Sequence, residues 1–238
     1  ARLQFSYEVT LKPGKTFERS IIQQLKTRYD ITDGIYAAGN KIIIPAASEA
    51  AVKTFKNHPS VAHITRFIEP EGKADIGLFP QDPSYDWNRD FFGPLYIPEE
   101  GKTIDVNLKN LPVYKRLLTE YEGNTVSTKG NQIYINGKLA KSYTFKQNYY
   151  WMMGDNRHNS IDARAWGFVP FNHVVGKPVF IWMSWNTNGK GFNKIRWDRV
   201  FTTVHADGER TSYFIPFLFL LAGWIGYSKW RKKKNATV

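Results

Sequence analysis

Apolar and polar residues alternate with two different periods along the first third of the chain. The stretch LQFSYEVTL alternates like a strand, whereas TFERSIIQQLKTRY repeats its apolar residues at helical spacing, with Thr16 as the expected N-cap. The short strands GIYAAG and NKIIIPA follow, with a turn at Gly39 and Asn40. A second helix, SEAAVKTFKNH, is capped by Ser48, and the strand VAHITRFIE comes last. The pattern predicts an inserted βαββαβ module over residues 1–70, with both helices on one face of a small sheet.

The middle of the chain is predicted to be irregular first and β-rich afterwards. Residues 71–100 are rich in Pro and Gly, which favours a linker. Residues 101–210 contain the strand-like stretches KTIDVNL, SYTFKQNYYWMMG and KPVFIWMSW, and one short helical stretch, LPVYKRLLTEYEG. In NQIYINGKLA, Asn136 and Gly137 suit a type I′ hairpin turn, because both central positions of that turn need a positive φ.

The C-terminal segment is the most apolar part of the chain. From Tyr213 to Tyr227 it reads YFIPFLFLLAGWIGY, without a charge, and the basic cluster KWRKKK follows within two residues. We predict a transmembrane helix over residues 211–230, with a buried core helix as the alternative. By the positive-inside rule, residues 231–238 would be a cytoplasmic tail and the main domain would be extracytoplasmic.

Charge and cysteine content exclude several classes of protein. The formal net charge is +12, but five of the basic residues form one terminal run: Lys229, Arg231, Lys232, Lys233 and Lys234. The remaining excess is scattered among acidic residues without an RNA- or DNA-binding motif, so we expect no nucleic-acid partner. The chain has no Cys, which excludes disulfides, thiolate metal sites and a cysteine nucleophile.

A dense polar segment, MMGDNRHNSIDARAWGFVPFNHVVGK, lies between two apolar stretches. Three of its side chains are candidate metal ligands: Asp155, His158 and Asp162. An EF-hand calcium loop, however, needs an oxygen ligand at its third position and Gly at its sixth, where this chain has Arg157 and Ser160. We therefore expect no metal and no cofactor. A purely structural interpretation stays open, since Asx-type turns and carboxylate–arginine pairs have the same composition.

Two motifs in this segment resemble the bacterial type I signal peptidases, also called leader peptidases. Residues 154–164 read GDNRHNSIDAR and residues 166–170 read WGFVP, where that family has GDNRDNSxDSR followed by Trp-Gly-Phe-Val-Pro. His158 replaces an Asp of the family box, and Ala163 replaces a Ser. The sequence TFKQNYYWMMGDNRHNS is most similar to members of the Bacteroidetes-type branch of the family. Either a hydrogen-bonded loop histidine or a titrating group is compatible with His158.

The resemblance implies a membrane-bound serine endopeptidase that cleaves signal peptides from exported preproteins. In that family a Ser attacks the scissile carbonyl and a neutral Lys accepts its proton, so the lysine must lie in apolar surroundings. By resemblance, the residues that support this active site are Met152, Gly154, Asp155, Asn156, Arg157, Ser160, Asp162 and Arg164.

The expected roles of these residues also come from the resemblance. Met152 and Gly154 would lie beside the amine. Ser160 would hydrogen bond to it, oriented by Asp162, and Arg164 would neutralise the charge of Asp162. Asp155 would pair with a basic residue next to the lysine.

The two family elements that carry the nucleophile and the base are not found in the 238 residues. No Ser-Met pair occurs, and Lys115-Arg116 lies in a predicted helix with no Gly-Asp turn after it. We therefore expect a C-terminal fragment that holds no catalytic residue and is inactive alone. The alternatives are a non-catalytic, membrane-tethered extracytoplasmic interaction module and a self-cleaving regulator of the related Ser-Lys fold.

The expected fold class is mainly β with an α/β insertion. It combines a partial signal-peptidase-like β core with the βαββαβ module and the C-terminal transmembrane helix. The expected partners are preprotein signal peptides and the lipid bilayer, and the expected location is the bacterial inner membrane. Trp182, Trp185 and Trp197 are candidates for contact with the membrane surface.

Overall fold

A computed structural model describes residues 3–29, 31, 34–187, 189–204 and 211–235. These residues form two compact units. The first unit lies within residues 2–17 and 33–175, and the second within 18–32 and 176–238.

The helices and strands are short, apart from the last helix. Up to residue 66 they are, in chain order, β1 (Gln4–Leu11), α1 (Arg19–Tyr29), β2 (Tyr36–Ala38), β3 (Lys41–Ser48), α2 (Glu49–Lys56) and β4 (Val61–Arg66). Next come β5 (Thr103–Asp105), α3 (Leu111–Arg116), β6 (Val126–Lys129), β7 (Gln132–Ile135), β8 (Lys138–Ala140) and β9 (Ser142–Thr144). The last are β10 (Tyr149–Tyr150), α4 (Ala163–Trp166), β11 (Val169–Pro170), β12 (Phe180–Ile181), β13 (Thr202–Thr203) and α5 (Phe214–Asn235).

The strands β1 to β4 form one antiparallel sheet with the order β2-β3-β1-β4. Alternate residues of its two long strands enter the core, among them Val9 of β1 and Ile42 and Ile44 of β3. Helix α2 begins after Ser48, whose Oγ accepts the N–H of Ala51 at 3.4 Å, which confirms the predicted cap. Helix α1, in the second unit, begins only at Arg19, so the cap predicted at Thr16 is wrong.

Three smaller sheets follow in the first unit: the pairs β5-β9 and β10-β11, and the three-stranded β6-β7-β8. The hairpin between β7 and β8 turns at Asn136 and Gly137, with φ of 52° and 77°. Both values are positive, as the predicted turn requires.

An aromatic core packs residues 71–100, the predicted linker, against the strands around the polar segment. Its buried members are Phe79, Val113, Tyr114, Leu117, Phe145, Tyr149 and Phe168, with Tyr85, Trp87, Phe92 and Trp151 packed against them. The ring of Phe168 lies 5.6 Å from that of Phe79 and 5.3 Å from that of Trp151, between centroids. Phe79, Tyr85, Trp87 and Phe92 of residues 71–100 thus belong to the core, although this stretch has no regular secondary structure.

Glu122 is a carboxylate buried beside this core. It accepts hydrogen bonds from the hydroxyls of Tyr143 (2.7 Å) and Tyr149 (3.0 Å) and from the backbone N–H of Lys146 (3.0 Å). Burial, together with the hydrogen bond to Glu122, raises the pKa of Tyr143 to about 12. Both oxygens of this buried carboxylate therefore have hydrogen-bond donors.

The predicted transmembrane helix is wrong. Helix α5 has 22 residues, but Lys229, Arg231 and Lys232 lie inside its last turns, and Pro216 and two glycines interrupt its apolar part. A membrane span needs about 20 consecutive, predominantly apolar residues. Among the described residues, no helix combines the length and the apolar character that crossing a membrane requires. The predicted cytoplasmic tail, residues 231–238, starts inside α5 and ends outside the described residues. The prediction that the tail is cytoplasmic and the main domain extracytoplasmic depended on this span and is no longer supported.

The predicted fold class is also wrong in calling the chain mainly β. The described residues combine small sheets with five α-helices and several single helical turns. The apolar stretch KPVFIWMSW forms only the two-residue strand β12. High β propensity expresses fit to a pleated, half-buried surface, and most of these aromatic side chains are exposed or lie in loops instead.

Candidate active site

The polar segment forms a turn, residues 152–164, which we call the box turn, and both of its ends are anchored. Strand β10 precedes it and pairs with β11, which follows it. Trp151 packs against Phe168 and Phe79 immediately before the turn. The short helix α4 begins at its end, with Asp162 as N-cap. The turn therefore starts and ends on a packed core.

Asp162 is the centre of the hydrogen bonds within the box turn. One carboxylate oxygen, Oδ2, accepts the N–H of Gly154 at 2.9 Å and Nη2 of Arg164 at 2.7 Å. The other, Oδ1, accepts the backbone N–H and Nε of Arg164 at 3.1 and 3.0 Å. Only 6% of Asp162 and 2% of Arg164 are exposed. This is a buried, bidentate pair whose charges are satisfied locally.

The same contacts keep Asp162 ionised. Burial raises its pKa, but the hydrogen bonds from Arg164 and Gly154, together with the charge of Arg164, outweigh burial and hold the pKa below its usual value of 3.8. The hydrogen bond to Gly154 is therefore charge-assisted, and it fixes the backbone at that residue.

Gly154 lies directly against Ser160. A Cβ atom on residue 154 would lie 2.2 Å from Ser160 Oγ and 2.7 Å from Ser160 Cβ. Both distances are far inside van der Waals contact, so the fold requires Gly here. Asp162 thus reaches Ser160 through the backbone of Gly154.

The Ser160 hydroxyl donates to the backbone oxygen of Asn156 at 2.7 Å. The resemblance implied that Asp162 orients this hydroxyl, whereas in the structure the backbone oxygen of Asn156 accepts its hydrogen bond. A serine oxygen that donates one hydrogen bond can still accept from an amine. The side chain of Ser160 is half-buried and so remains within reach of such a group.

Strand β1 holds the backbone of the box turn. The N–H of Gln4 donates to the oxygen of Asp155 at 2.9 Å, and the N–H of Arg157 donates to the oxygen of Gln4 at 3.0 Å. Asn156 faces Gln4 in a parallel bridge. The turn therefore extends the four-stranded sheet at the end of β1, beyond the point where β4 stops.

The remaining site residues predicted from the resemblance lie along the same turn. Met152 contributes its oxygen to the N–H of Ala163 at 3.0 Å, while 45% of the residue is exposed. The carboxylate of Asp155 is exposed. Arg157 donates through Nη1 to the sulfur of Met153 at 3.3 Å, and its buried Nε has no hydrogen-bond partner among the described residues.

His158 is a hydrogen-bonded loop histidine, one of the two interpretations left open above. Its Nδ1 accepts the N–H of Ser6 at 3.1 Å, and its Nε2 lies 3.0 Å from Oδ2 of Asp90. The side chains of His158 and Asp90 are only 10% and 7% exposed. Arg89 donates to the backbone oxygen of His158.

A cavity of about 170 Å³ opens beside Ser160. The residues that line it are Asp75, Gly77, Leu78, Arg89, Ser160, Ile161, Arg164 and Ala165. No lysine is among these described lining residues. Lys115, the one lysine considered as a base from the sequence, is exposed on α3.

The sequence did not predict four residues outside the box turn that hydrogen bond to it: Gln4, Ser6, Arg89 and Asp90. They are remote in sequence, with Ser6 152 positions from His158 and Asp90 68 positions from it. The alternation that predicts β1 does not reveal what its first residues pair with beyond the end of β4, so no local signal could have found them.

Comparisons with known proteins match the part of the chain that contains the box turn. Residues 139–185 match the sequence model of a family described as "Signal peptidase, peptidase S26". A signal peptidase I of Buchnera aphidicola subsp. Acyrthosiphon pisum is 44% identical over 62 residues, which is 26% of this chain and 20% of that protein. A signal peptidase I of Buchnera aphidicola subsp. Schizaphis graminum is 44% identical over 107 residues, 40% of this chain and 33% of that protein. The chain thus spans only about a fifth to a third of the length of these relatives.

A longer similarity, at lower identity, links the chain to a signal peptidase I of Leptolyngbya laminosa. The two are 25% identical over 171 residues, which is 66% of this chain and 81% of that protein. No solved structure matches the chain. The chain is therefore similar to signal peptidase I proteins, and the family model matches residues 139–185, which include Gly154, Ser160 and Asp162.

Proposed function

We propose that this chain is the C-terminal part of a serine endopeptidase that removes signal peptides from exported preproteins. Its Ser nucleophile and Lys base would come from residues outside these 238. The observation that carries the proposal is the arrangement in which the ionised Asp162 holds Gly154 against the hydroxyl of Ser160. Membership of the Bacteroidetes-type branch remains part of the proposal, and the sequence TFKQNYYWMMGDNRHNS supports it.

The box turn suits a neutral lysine because Ser160 offers an uncharged hydrogen-bond acceptor and the buried carboxylate behind it, Asp162, is already paired with Arg164. A free carboxylate beside the amine would favour its charged form and raise its pKa. Here Arg164 neutralises Asp162, and the uncharged Oγ of Ser160 remains available as an acceptor. The exposed side chain of Met152 offers apolar surface that would favour the uncharged amine further.

The proposed reaction is an acyl transfer in two halves. The lysine accepts the proton of the serine nucleophile as its oxygen attacks the scissile carbonyl, and then passes that proton to the leaving amine. Water hydrolyses the resulting acyl-enzyme. In this scheme Ser160 aims the lysine, and the exposed carboxylate of Asp155 is free to pair with a basic residue beside it.

A lipid bilayer, the bacterial inner membrane, remains a proposed partner and location. The exposed indole rings of Trp182, Trp185 and Trp197 support it, since Trp is enriched where proteins meet membrane interfaces.

Two polypeptides, this chain and the full-length gene product, test the proposed function. The 238-residue chain, incubated with a preprotein that carries a signal peptide, is expected to give no cleavage, whereas the full-length gene product is expected to cleave it. Cleavage by the chain alone would refute the assignment of the dyad to other residues. A full-length product that lacks a Ser-Met element and does not cleave would favour the non-catalytic interaction module instead.

A further inference from the structure

We propose that strand β1 and His158 set the position of Ser160, so that His158 is a positioning residue for the serine hydroxyl. The inference rests on the proposed function. It assigns a role to the N-terminal sheet, which otherwise has none in the reaction.

The first step concerns the backbone oxygen that accepts the hydrogen bond from the Ser160 hydroxyl. It belongs to Asn156, the residue in bridge contact with Gln4 of β1. Backbone hydrogen bonds to Gln4 flank this residue on both sides, at 2.9 and 3.0 Å. The direction of the Ser160 hydroxyl is therefore coupled to the end of β1.

The second step concerns His158, which lies inside the loop closed by the Asn156–Ser160 hydrogen bond. Its ring reaches β1 through Ser6 and the segment before β5 through Asp90. Its ring edges also meet Phe5 and Phe67 at centroid distances of 6.3 and 6.1 Å. A side chain buried and bonded on two sides restricts the backbone that carries it.

The third step is the protonation state that these partners select. An amide N–H can only donate, so Nδ1 of His158 must accept from Ser6 and carries no proton. The proton then lies on Nε2 and is donated to Asp90, whose carboxylate is also held by the N–H of Glu69 at 2.9 Å. A neutral histidine with this tautomer satisfies both partners.

The fourth step explains why a histidine stands where the family box has an aspartate. An aspartate at residue 158 would offer only acceptors and would add a second carboxylate near Asp90. The histidine instead supplies one acceptor for Ser6 and one donor for Asp90. His158 and Asp90 are therefore a matched pair in this chain.

Two variants separate the contacts of His158. His158→Asn keeps an acceptor near the Nδ1 position and loses the contact with Asp90, whereas His158→Gln keeps a donor near the Nε2 position. His158→Ala removes both. His63→Asn, an exposed histidine on β4 of the same sheet, is the matched control.

Hydrogen exchange and histidine nitrogen spectra of the full-length protein test the hydrogen bonds of His158 to Ser6 and Asp90 without using activity. We expect wild-type His158 to carry its proton on Nε2. We expect His158→Ala to speed exchange of the Ser6 and Arg157 amides at least about fivefold, with His158→Asn restoring Ser6. A proton on Nδ1 in the wild type, or unchanged exchange in His158→Ala, would overturn the inference.

Kinetics of the full-length protein test the link to Ser160. We expect His158→Ala to lower kcat at least about fivefold with KM within about twofold, and His158→Asn to recover part of that loss. An unchanged kcat, or a loss confined to KM, would contradict a positioning role. If the wild-type full-length protein cleaves no preprotein, the proposed function fails. The exchange and spectroscopic results still decide whether His158 holds the box turn through Ser6 and Asp90.

Discussion

Gly154 and Ser160 approach so closely that the hydrogen on Gly154 occupies the only space available there. A methyl group in its place would come within 2.2 Å of the serine oxygen. The backbone of Gly154 cannot retreat, because its N–H is bound to the buried carboxylate of Asp162. The position of Ser160 is therefore restricted by a glycine six residues earlier and by the ion pair behind it, in addition to its hydrogen bond to the backbone oxygen of Asn156.

Gly154→Ala should destabilise the protein by about 1–3 kcal/mol, because the new methyl group overpacks the site. Urea unfolding measures the loss. Gly176→Ala is the control, since a Cβ atom there meets no atom within 4 Å. Adding Ser160→Gly removes both atoms that the methyl group would meet and should recover most of the stability lost. A double variant as unstable as Gly154→Ala would show that the clash is elsewhere.

Arg164→Ala should cost about 3–5 kcal/mol, because it leaves the buried Asp162 carboxylate without its partner. Glu120→Gln is the matched control: it breaks the exposed pair between Arg116 and Glu120 and should change the free energy of unfolding by less than about 0.5 kcal/mol. Similar losses for the two variants would mean that the Asp162–Arg164 pair is not buried in solution.

The stability contributed by Asp162 should disappear in acid. Its pKa in the folded protein lies below the unfolded value, so its contribution is complete above about pH 5 and is lost as the pH falls through the folded pKa. The difference in unfolding free energy between wild type and Asp162→Asn should therefore shrink as the pH falls below about 4. A difference that stays constant or grows in acid would contradict the assignment.

Tyr149→Phe should destabilise the protein by about 1–3 kcal/mol, because Glu122 would lose a hydroxyl donor in a buried site. Tyr134→Phe is the control, since its hydroxyl bonds to Gln132 at the surface. Thermal or urea unfolding compares the two variants. Equal effects would argue that water replaces the hydroxyl at Glu122.

Local chemistry in the sequence predicted some of these elements correctly. Ser48 has a side-chain oxygen at a helix start, and Asn136-Gly137 suits two positive φ values, so both were readable from neighbours alone. The strands were overestimated, because the aromatic residues that favour them are exposed or pack on the Phe79 and Phe168 core from loops. The apolar C-terminal segment was misread because its charges lie inside α5 rather than beyond it.

The pairing of Asp162 with Arg164 was expected from the family resemblance and not from the spacing of the two residues. Asp162 and Arg164 are two positions apart, and their pairing needs no distant element. The contacts of Ser6 and Asp90 with His158 depend on how β1 meets the box turn. The alternation of apolar residues in β1 does not predict that the strand pairs with the box turn.

The most direct test of the account is the effect of Ser160→Ala on signal-peptide cleavage by the full-length protein. Removing the hydroxyl takes away the acceptor that would aim the lysine, so kcat should fall at least about tenfold while KM stays within about twofold. Ser127→Ala, on exposed β6, should leave both constants unchanged. A Ser160→Ala protein that cleaves preprotein at the wild-type rate would contradict the role of the box turn in activating the base.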